Sequence, residues 1–284
     1  MYWFHVAKWH VRLVRFFHRR YGIRLRGLGA ILRLIKEDRV IAVHGQKVYL
    51  NHKVAGCYAL LIDGDYNEPE THMFFALLME RLEFPVMFID VGANVGEMIT
   101  DFARYERVTR IVGFEPHPEC AAACRKTAEL NGYKKIAIVE KVLSDHAGFA
   151  KFAFNQRSPG ASSLKVVGGA DASSVPTSTL DLELGDCSVP GILLVDVEGA
   201  EPLVLAGGRQ FIATNRPLII FEYNALSRRY FSLEDISNTL GPDYEILRLR
   251  QDGNLDRELS NTWNCVAIHL ESKFFQPLQA MILR

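Results

Sequence analysis

The sequence predicts a doubly wound α/β fold, in which helices cover both faces of a mostly parallel sheet. Two observations predict it. Short apolar runs such as Val86-Met87-Phe88-Ile89 do not alternate with polar residues, which is typical of strands buried on both faces. Segments with helical periodicity separate these runs, as in βαβ units. The length of 284 residues is sufficient for one large domain with an appendage, or for two modest domains.

The individual elements follow from periodicity and turn signals. Residues 2–20 predict an amphipathic helix, and residues 40–63 alternate like short strands around Gly45 and Gly56. Further helices are predicted over 70–82, 96–106, 117–131 and 201–213, and strands over 86–89, 110–114, 136–142, 148–154, 192–195 and 217–221. The remaining predictions are a loop rich in Gly, Ser and Ala over 155–175, and a hairpin of edge strands over 243–249 and 263–269.

These elements divide the chain into three parts. A basic helix and a small β element form an N-terminal appendage over 1–66, the main domain spans 67–270, and a tail follows over 271–284. The whole chain has 33 basic and 33 acidic residues, but residues 1–39 contain ten Lys or Arg and two acidic residues. This segment therefore carries a charge of +8 and the remainder carries −8. A basic arm on an acidic body suggests an anionic partner, such as a membrane surface, or docking on the body itself.

Two interpretations of the helix over 2–20 stay open. Either it packs on the main domain with its Arg face in water, or it lies in a membrane interface with its aromatic residues buried and Arg near anionic headgroups. Nucleic acid is not an expected partner. No stretch approaches the roughly 18–20 apolar residues that span a bilayer, and charges interrupt the N-terminus more often than in a signal peptide. We expect a cytoplasmic protein, with peripheral membrane contact as the alternative.

The cysteine pattern predicts reduced thiols and no zinc site. Five cysteines are scattered along the chain without a C-x-x-C pair or a Cys/His spacing typical of zinc. Cys120 and Cys124 lie one helical turn apart and are expected to pack as small apolar groups. We predict no bound metal ion.

Acidic residues close three of the predicted strands. Asp90 follows the first strand of the main domain, Glu115 the second and Asp196 the fourth. Because ligands of open α/β sheets bind beyond the carboxyl ends of the strands, these acids are candidates for a ligand site.

The turn after Asp90 indicates the kind of ligand. It contains Gly92, Asn94 and Gly96, and glycine lets a backbone turn sharply and approach a ligand closely. Glu115 lies 19 residues after Gly96, where an acid can accept hydrogen bonds from both hydroxyls of a ribose. A dinucleotide fingerprint needs G-x-G-x-x-G, but Asn94 replaces its second glycine and the third is missing. The turn therefore suits an amino-acid moiety better than a pyrophosphate, and an NAD-type oxidoreductase is the weaker alternative.

Several motifs in a fixed order extend this pattern. They are Phe88-Ile89-Asp90-Val91-Gly92-Ala93-Asn94-Val95-Gly96-Glu97, Phe114-Glu115-Pro116, Leu143-Ser144-Asp145, Thr179-Leu180-Asp181 and Val195-Asp196-Val197-Glu198-Gly199-Ala200-Glu201, with Asn67-Glu68-Pro69-Glu70-Thr71-His72 upstream. Together they resemble the FkbM-type methyltransferases over roughly residues 56–270. One departure is Leu194, because many members have Lys two residues before the Asp.

The resemblance implies a class I methyltransferase fold, which is Rossmann-like with a mostly parallel seven-stranded sheet, and S-adenosylmethionine as the cofactor. The implied cofactor contacts follow the first three strands of the main domain: Asp90, Gly92, Asn94 and Gly96, with Glu97 beside them, at the methionine part, Glu115 at the ribose, and Ser144 or Asp145 near the adenine. The expected reaction is O-methylation of a hydroxyl group on a sugar, a polyketide or another small molecule. A non-catalytic scaffold that binds a membrane or a partner is a further alternative.

Carboxylates around Asp196 are the candidates for catalysis. We predict Asp196 first, and Glu198 second, as the base that accepts the substrate hydroxyl proton. Residues expected near the substrate are Glu70, His72, Glu201 and Glu222. Acidic residues at a helix start are also favourable through the helix dipole, which is an alternative role for Glu201. Three carboxylates could instead hold magnesium, an alternative to the prediction of no metal.

Overall fold

The computed structural model describes residues 2–21, 27–153, 172–185, 187–260 and 262–283. The N-terminal part begins with two helices, a β-hairpin and two 3-10 helices: α1 (Tyr2–Tyr21), α2 (Leu28–Leu32), β1 (Arg39–Val43), β2 (Gln46–Leu50), His52–Tyr58 and Leu61–Asp63. The predicted first helix is thereby confirmed. The prediction of strands over 51–63 is wrong, because Asn51 accepts a hydrogen bond from the backbone N–H of Lys53 and begins a 3-10 helix there.

The rest of the chain alternates helices and strands. The elements are α3 (Pro69–Arg81), β3 (Val86–Val91), α4 (Glu97–Ala103), β4 (Val108–Phe114), α5 (Pro118–Asn131), β5 (Ile136–Val139), β6 (Val142–Leu143), β7 (Gly148–Ala153), β8 (Ala172–Ser178), α6 (Leu180–Leu184), β9 (Gly191–Val195), α7 (Glu201–Ala206), α8 (Arg209–Asn215), β10 (Leu218–Glu222), α9 (Leu233–Leu240), β11 (Tyr244–Leu249), β12 (Leu255–Asp256), β13 (Asn264–His269) and α10 (Phe275–Gln279).

The main sheet has eight strands in the order β12-β11-β13-β10-β9-β3-β4-β5. The strands β5, β4, β3, β9 and β10 are parallel to one another, and β13 runs antiparallel to both β10 and β11. The doubly wound α/β prediction is confirmed, with one correction: the two-residue β12 adds an eighth strand to the predicted seven. The terminal hairpin was predicted at the edge, but β13 lies inside the sheet, because its residues 264–268 are buried and need cover on both sides.

Three other predicted elements divide differently. The strand over 136–142 ends at Val139, and β6 joins β7 and β8 in a separate three-stranded sheet. The predicted helix over 201–213 is two helices, α7 and α8, separated by Gly207 and Gly208. A Cβ on Gly207 would lie 2.0 Å from the backbone oxygen of Ser144, so these two backbone segments approach each other closely. Of the predicted loop over 155–175, residues 155–171 lie outside the described residues, and the rest belong to β8.

Two apolar cores cover the two faces of the sheet. Phe88 points to one face and stacks on Phe102 of α4 at 3.8 Å between ring centroids, while its neighbour Ile89 packs in the other core with Leu193. This alternation is the two-residue period of a strand with both faces buried. The C-terminal segment contributes Phe274 and other buried residues to the first core. No described helix is long and apolar enough to cross a membrane.

The topology places a crevice beside β3. After β3 the chain builds β4 and β5 on one side, and later β9 and β10 on the other. Such a reversal of strand order leaves an open crevice at the carboxyl ends of the two central strands, where ligands of this fold class bind. The two loops that leave these strands touch, since the N–H of Asp196 donates to the carbonyl of Val91 at 2.9 Å.

Candidate active site

A cleft of about 640 Å³ opens at the carboxyl ends of β3, β4 and β9. Its lining consists of the two strand-end loops around Gly92 and Asp196, the end of β4 and the segment that enters β6: Val91, Gly92, Asn94, Phe114, Glu115, Pro116, Lys141, Val142, Leu143, Phe152, Asp196, Val197, Glu198 and Ala200. The sequence-predicted residues Gly92, Asn94, Glu115, Asp196 and Glu198 therefore come together in one cleft.

Gly92 allows the two central loops to meet. Its φ angle is +95°, and a Cβ at this position would lie 1.9 Å from the backbone oxygen of Asp196. Both features require glycine, because a side chain is strained at positive φ and here would also overlap the main chain. Asn94 has a φ angle of +49°, which asparagine tolerates better than most residues. The turn therefore joins the end of β3 to the loop that holds Asp196.

Glu115 is held in place by backbone donors. Its Oε2 accepts the N–H of Asn94 at 2.8 Å, and its Oε1 accepts the N–H of His117 at 2.6 Å. Burial raises the pKa of Glu115 to about 7 in spite of these two hydrogen bonds. A carboxylate oxygen has two lone pairs, so each oxygen retains capacity for one more donor. The carboxylate is thus fixed and can accept a pair of hydroxyl groups.

The other residues predicted around the methionine part do not line the cleft. Asp90 is buried, and burial together with the charge of Glu115 raises its pKa to about 8. Gly96 is the residue before α4 and lies beside Cys124. Glu97 accepts hydrogen bonds from the backbone and side chain of Asn67 at 2.7 and 2.6 Å. Glu97 therefore attaches the segment just before α3 to α4.

The structure places the two residues predicted near adenine outside the lining of the cleft. Ser144 is buried, and its hydroxyl donates to Asp145 at 3.0 Å. Asp145 is exposed and forms an ion pair with His146. Lys141, Val142 and Leu143 line this side of the cleft instead. The lining residues lie a few positions earlier in the sequence than predicted, because β6 leaves the main sheet. Ser144 is thereby turned toward β8, where its N–H donates to the carbonyl of Ser178 at 2.9 Å.

Carboxylates gather at the opposite end of the cleft, around Asp196. One oxygen each of Asp196, Glu201 and Glu222 lies within 4.8 Å of the others. Burial raises the pKa of Asp196 well above its usual value, and the charges of Glu222 and other acids add to the effect. Burial and the charge of Glu201 raise the pKa of Glu198 to about 7. We call these four residues and Glu68 the acidic cluster.

Two members of the acidic cluster have distinct surroundings. Glu201 begins α7, and its Oε1 accepts the N–H groups of Val197 and Gly199 at 3.1 and 3.3 Å, so it holds the loop after Asp196 in place. Burial and the charge of Glu198 raise the pKa of Glu222 to about 8. Its buried Oε2 has no hydrogen-bond partner among the described residues. Oxygen ligands of this kind suit a magnesium ion or another hard cation.

Glu68 was not predicted as a site residue. It is half-buried just before α3, where Thr71 donates to it at 3.1 Å and Asn264 of β13 at 3.0 Å. Its charge contributes to the raised pKa values of Asp196, Glu198 and Glu222. The motif around Pro69 contains Glu68, but its partner Asn264 lies 196 positions later in the sequence. Only the folded chain brings these two residues into contact.

The two substrate candidates on α3 have different environments. His72 is buried between two acids: its Nδ1 lies 2.7 Å from Asp101 and its Nε2 lies 3.1 Å from Glu97. Burial disfavours the imidazolium, but the two acids outweigh it and raise the pKa of His72. His72 also stacks on Tyr66, with 3.4 Å between the ring centroids. It therefore connects α3 to α4, whereas Glu70 is half-buried in the first turn of α3.

The fold and the cleft define a class I methyltransferase. The family model described as methyltransferase FkbM domain matches residues 90–243, which is more than half of the chain. The chain belongs to this family, and the predicted resemblance is confirmed. Membership in a methyltransferase family is evidence against the alternative of an NAD-type oxidoreductase.

Three solved structures are similar to this chain in fold. The methyltransferase FkbM from Methylobacillus flagellatus KT is 16% identical, with a TM-score of 0.46, over 77% of this chain and 54% of that one. The chain thus spans about half the length of that protein. M. jannaschii TYW2 in complex with AdoMet is 11% identical, with a TM-score of 0.43, over 87% and 88% of the two chains. The ribosomal protein L11 methylase from Lactobacillus delbrueckii subsp. bulgaricus is 14% identical, with a TM-score of 0.40, over 72% and 79%. The comparison with curated proteins found no match.

Proposed function

We propose that this protein transfers the methyl group of S-adenosylmethionine to a hydroxyl oxygen of a small molecule, such as a sugar or a polyketide. One observation carries the proposal. The Gly92 turn brings the backbone-held Glu115 into one cleft with Asp196 and Glu198 of the acidic cluster. A ligand with a ribose at one end and a positive charge at the other is complementary to such a cleft.

The residues of the cleft fit this cofactor. Glu115 retains acceptor capacity for the two ribose hydroxyls, and Asn94 offers a polar group to an amino-acid moiety. The members of the acidic cluster that are ionised attract a positively charged sulfur. S-adenosylmethionine supplies, when bound, a methyl group that is activated by this positive charge.

The protein then has to orient an acceptor and receive its proton. Orientation of two reactants can remove up to roughly 7–11 kcal/mol of a barrier. Glu198 lines the cleft and has a pKa of about 7, near the value that suits a base at neutral pH. As the new O–C bond forms and the C–S bond breaks, Glu198 accepts the hydroxyl proton and the electron pair of the broken bond stays on sulfur. We assign Asp196, which lies beside Glu201 and Glu222, to positioning the acceptor hydroxyl.

The acidic cluster also distinguishes the cofactor from its product. Methyl transfer removes the positive charge from sulfur, so S-adenosylhomocysteine is not attracted by the carboxylates in the same way. We therefore expect the charged cofactor to bind more tightly than the neutral product when the cluster is ionised. This difference favours the exchange of product for fresh cofactor.

Isothermal titration calorimetry tests the cofactor assignment. Two charge-assisted hydrogen bonds are worth roughly 3 kcal/mol or more, so Glu115→Ala should weaken binding of S-adenosylmethionine about 100-fold. Glu129→Ala is the matched control, because Glu129 is exposed on α5, where it forms an ion pair with Lys126. Unchanged binding by Glu115→Ala would rule out the proposed ribose contact.

The acceptor is identified by a separate experiment. Cell extracts are incubated with the protein and isotopically labelled S-adenosylmethionine, and labelled products are detected by mass spectrometry. The proposal expects a small molecule that carries the label on oxygen. Cofactor binding without transfer to any acceptor would favour the non-catalytic scaffold instead.

A further inference from the structure

For a helix packed on the body, the sequence of α1 suggests that the Arg face lies in water. In the structure, part of that face meets the body instead. Ala7 and Val11 are fully buried in the apolar core that the N-terminal part of the chain forms. Arg12 and Arg15 form ion pairs with the nearly buried Asp63, at 2.9 and 3.4 Å. The Arg15 side chain is only 23% exposed, whereas the Arg12 side chain stays 66% exposed. The basic side of the helix therefore contributes to its attachment to the body.

Aromatic residues share the outward face of α1 with the exposed Arg12. Tyr2, Trp9 and Phe16 are 71%, 63% and 57% exposed. They are spaced by seven residues, and seven residues are close to two helical turns, so the three side chains form one stripe along the helix. We call these three residues the aromatic stripe. Three large aromatic side chains aligned on one exposed face are a surface that a partner would cover.

Basic residues accompany the aromatic stripe. Arg20 at the end of α1 is exposed, and so are Arg33 and Lys36 just after α2, which packs against α1. Residues 1–39 as a whole carry a net charge of +8. Aromatic rings that enter the headgroup region, with Lys and Arg beside them, are the combination that holds a helix in the plane of an anionic membrane.

From this geometry we infer that α1 binds the surface of a membrane that contains anionic lipids, through the aromatic stripe. Charge favours this partner over a second copy of the chain. A two-fold dimer through α1 would place the same +8 segment against itself, since both partners use the same surface. An anionic bilayer compensates the charge and accepts the aromatic rings together.

Flotation of the full chain with vesicles tests the inference. We expect strong partition to vesicles of phosphatidylcholine and phosphatidylglycerol, weaker partition at high salt, and little to phosphatidylcholine alone. The variant Tyr2→Ser/Trp9→Ser/Phe16→Ser should lose at least about tenfold in partition, because three apolar contacts with the bilayer disappear. Its melting temperature should stay near that of the parent protein, because the three side chains are exposed.

A matched control carries Phe149→Ser and Trp263→Ser, which remove two exposed aromatic residues outside α1. This control should bind the anionic vesicles like the parent protein. Equal partition of the stripe variant and the parent would overturn the inference. So would a concentration-dependent dimer, seen by analytical ultracentrifugation without lipid, that the stripe variant abolishes, because the stripe would then be a contact between two copies. Neither outcome bears on the proposed methyl transfer, which is measured separately.

Discussion

The two ends of the cleft hold their carboxylates in different ways. At the end proposed for the cofactor, Glu115 accepts two backbone N–H groups, which fix its position and partly offset the rise in its pKa that burial causes. At the end proposed for the acceptor, burial and the charges of neighbouring members raise the pKa values of the acids in the acidic cluster. The first arrangement is rigid and suited to recognition, and the second is electrostatically strained and suited to receiving a cation and a proton. Binding and catalysis should therefore respond to different substitutions.

The largest expected effect separates the two ends by kinetics. Glu198→Gln keeps the shape of the side chain but removes the base, so turnover should fall roughly 10²- to 10⁴-fold. Binding of S-adenosylmethionine should change much less, in contrast to Glu115→Ala. Removal of one charge from the acidic cluster should also leave the free energy of unfolding equal or higher. Turnover is measured with labelled cofactor and binding by calorimetry; full activity of Glu198→Gln would exclude Glu198 as the base.

The second prediction tests whether the two ends depend on the same turn. Gly92→Ala forces a Cβ against the backbone of Asp196 at positive φ, so we expect a loss of about 2–4 kcal/mol in the free energy of unfolding, together with weaker cofactor binding. Gly132→Ala is the control, since Gly132 also has positive φ but has open space around it. That variant should lose only about 1 kcal/mol. Urea unfolding measures both, and equal losses would mean that the close approach at Gly92 is unimportant.

The smallest expected effect concerns pH. Glu198 and Glu222 have pKa values of about 7 and about 8, so they become carboxylates as the pH rises from 6 to 8.5. Affinity for the positively charged S-adenosylmethionine should therefore rise over this range, by up to roughly tenfold per pH unit for each proton released. Affinity for neutral S-adenosylhomocysteine should rise less. Calorimetry at several pH values checks both, and parallel curves for the two ligands would contradict the proposed role of the acidic cluster.

Stability of the protein without ligand should change in the opposite direction. The folded-state pKa values of these acids exceed their unfolded values, so the folded state binds more protons and is favoured at low pH. The free energy of unfolding should consequently fall as the pH rises through 7 and 8. His72 acts in the same direction, because its raised pKa contributes stability that is lost when the ring deprotonates. Thermal unfolding between pH 6 and 8.5 measures the trend, and S-adenosylmethionine should reduce it by supplying a positive charge.

The sequence by itself determined the strand-based framework of the cleft. Gly92 and Asn94 follow β3 and Glu115 follows β4, and a strand end has a fixed place in a doubly wound sheet. Positions set by local structure can therefore be predicted from local sequence. Ser144 shows the limit of this principle, because it lies after a strand that leaves the main sheet.

The tertiary structure decided the acceptor end and the N-terminal helix. Glu68 enters the acidic cluster through Asn264, and such a contact between distant segments has no local signature. The periodicity of α1 predicted one polar and one apolar face but not which face meets the body. Asp63 contributes to that choice, because its ion pairs hold Arg15 against the body while the aromatic stripe and Arg12 stay exposed. Local sequence specifies which side chains share a face, whereas only the packed chain specifies what that face meets.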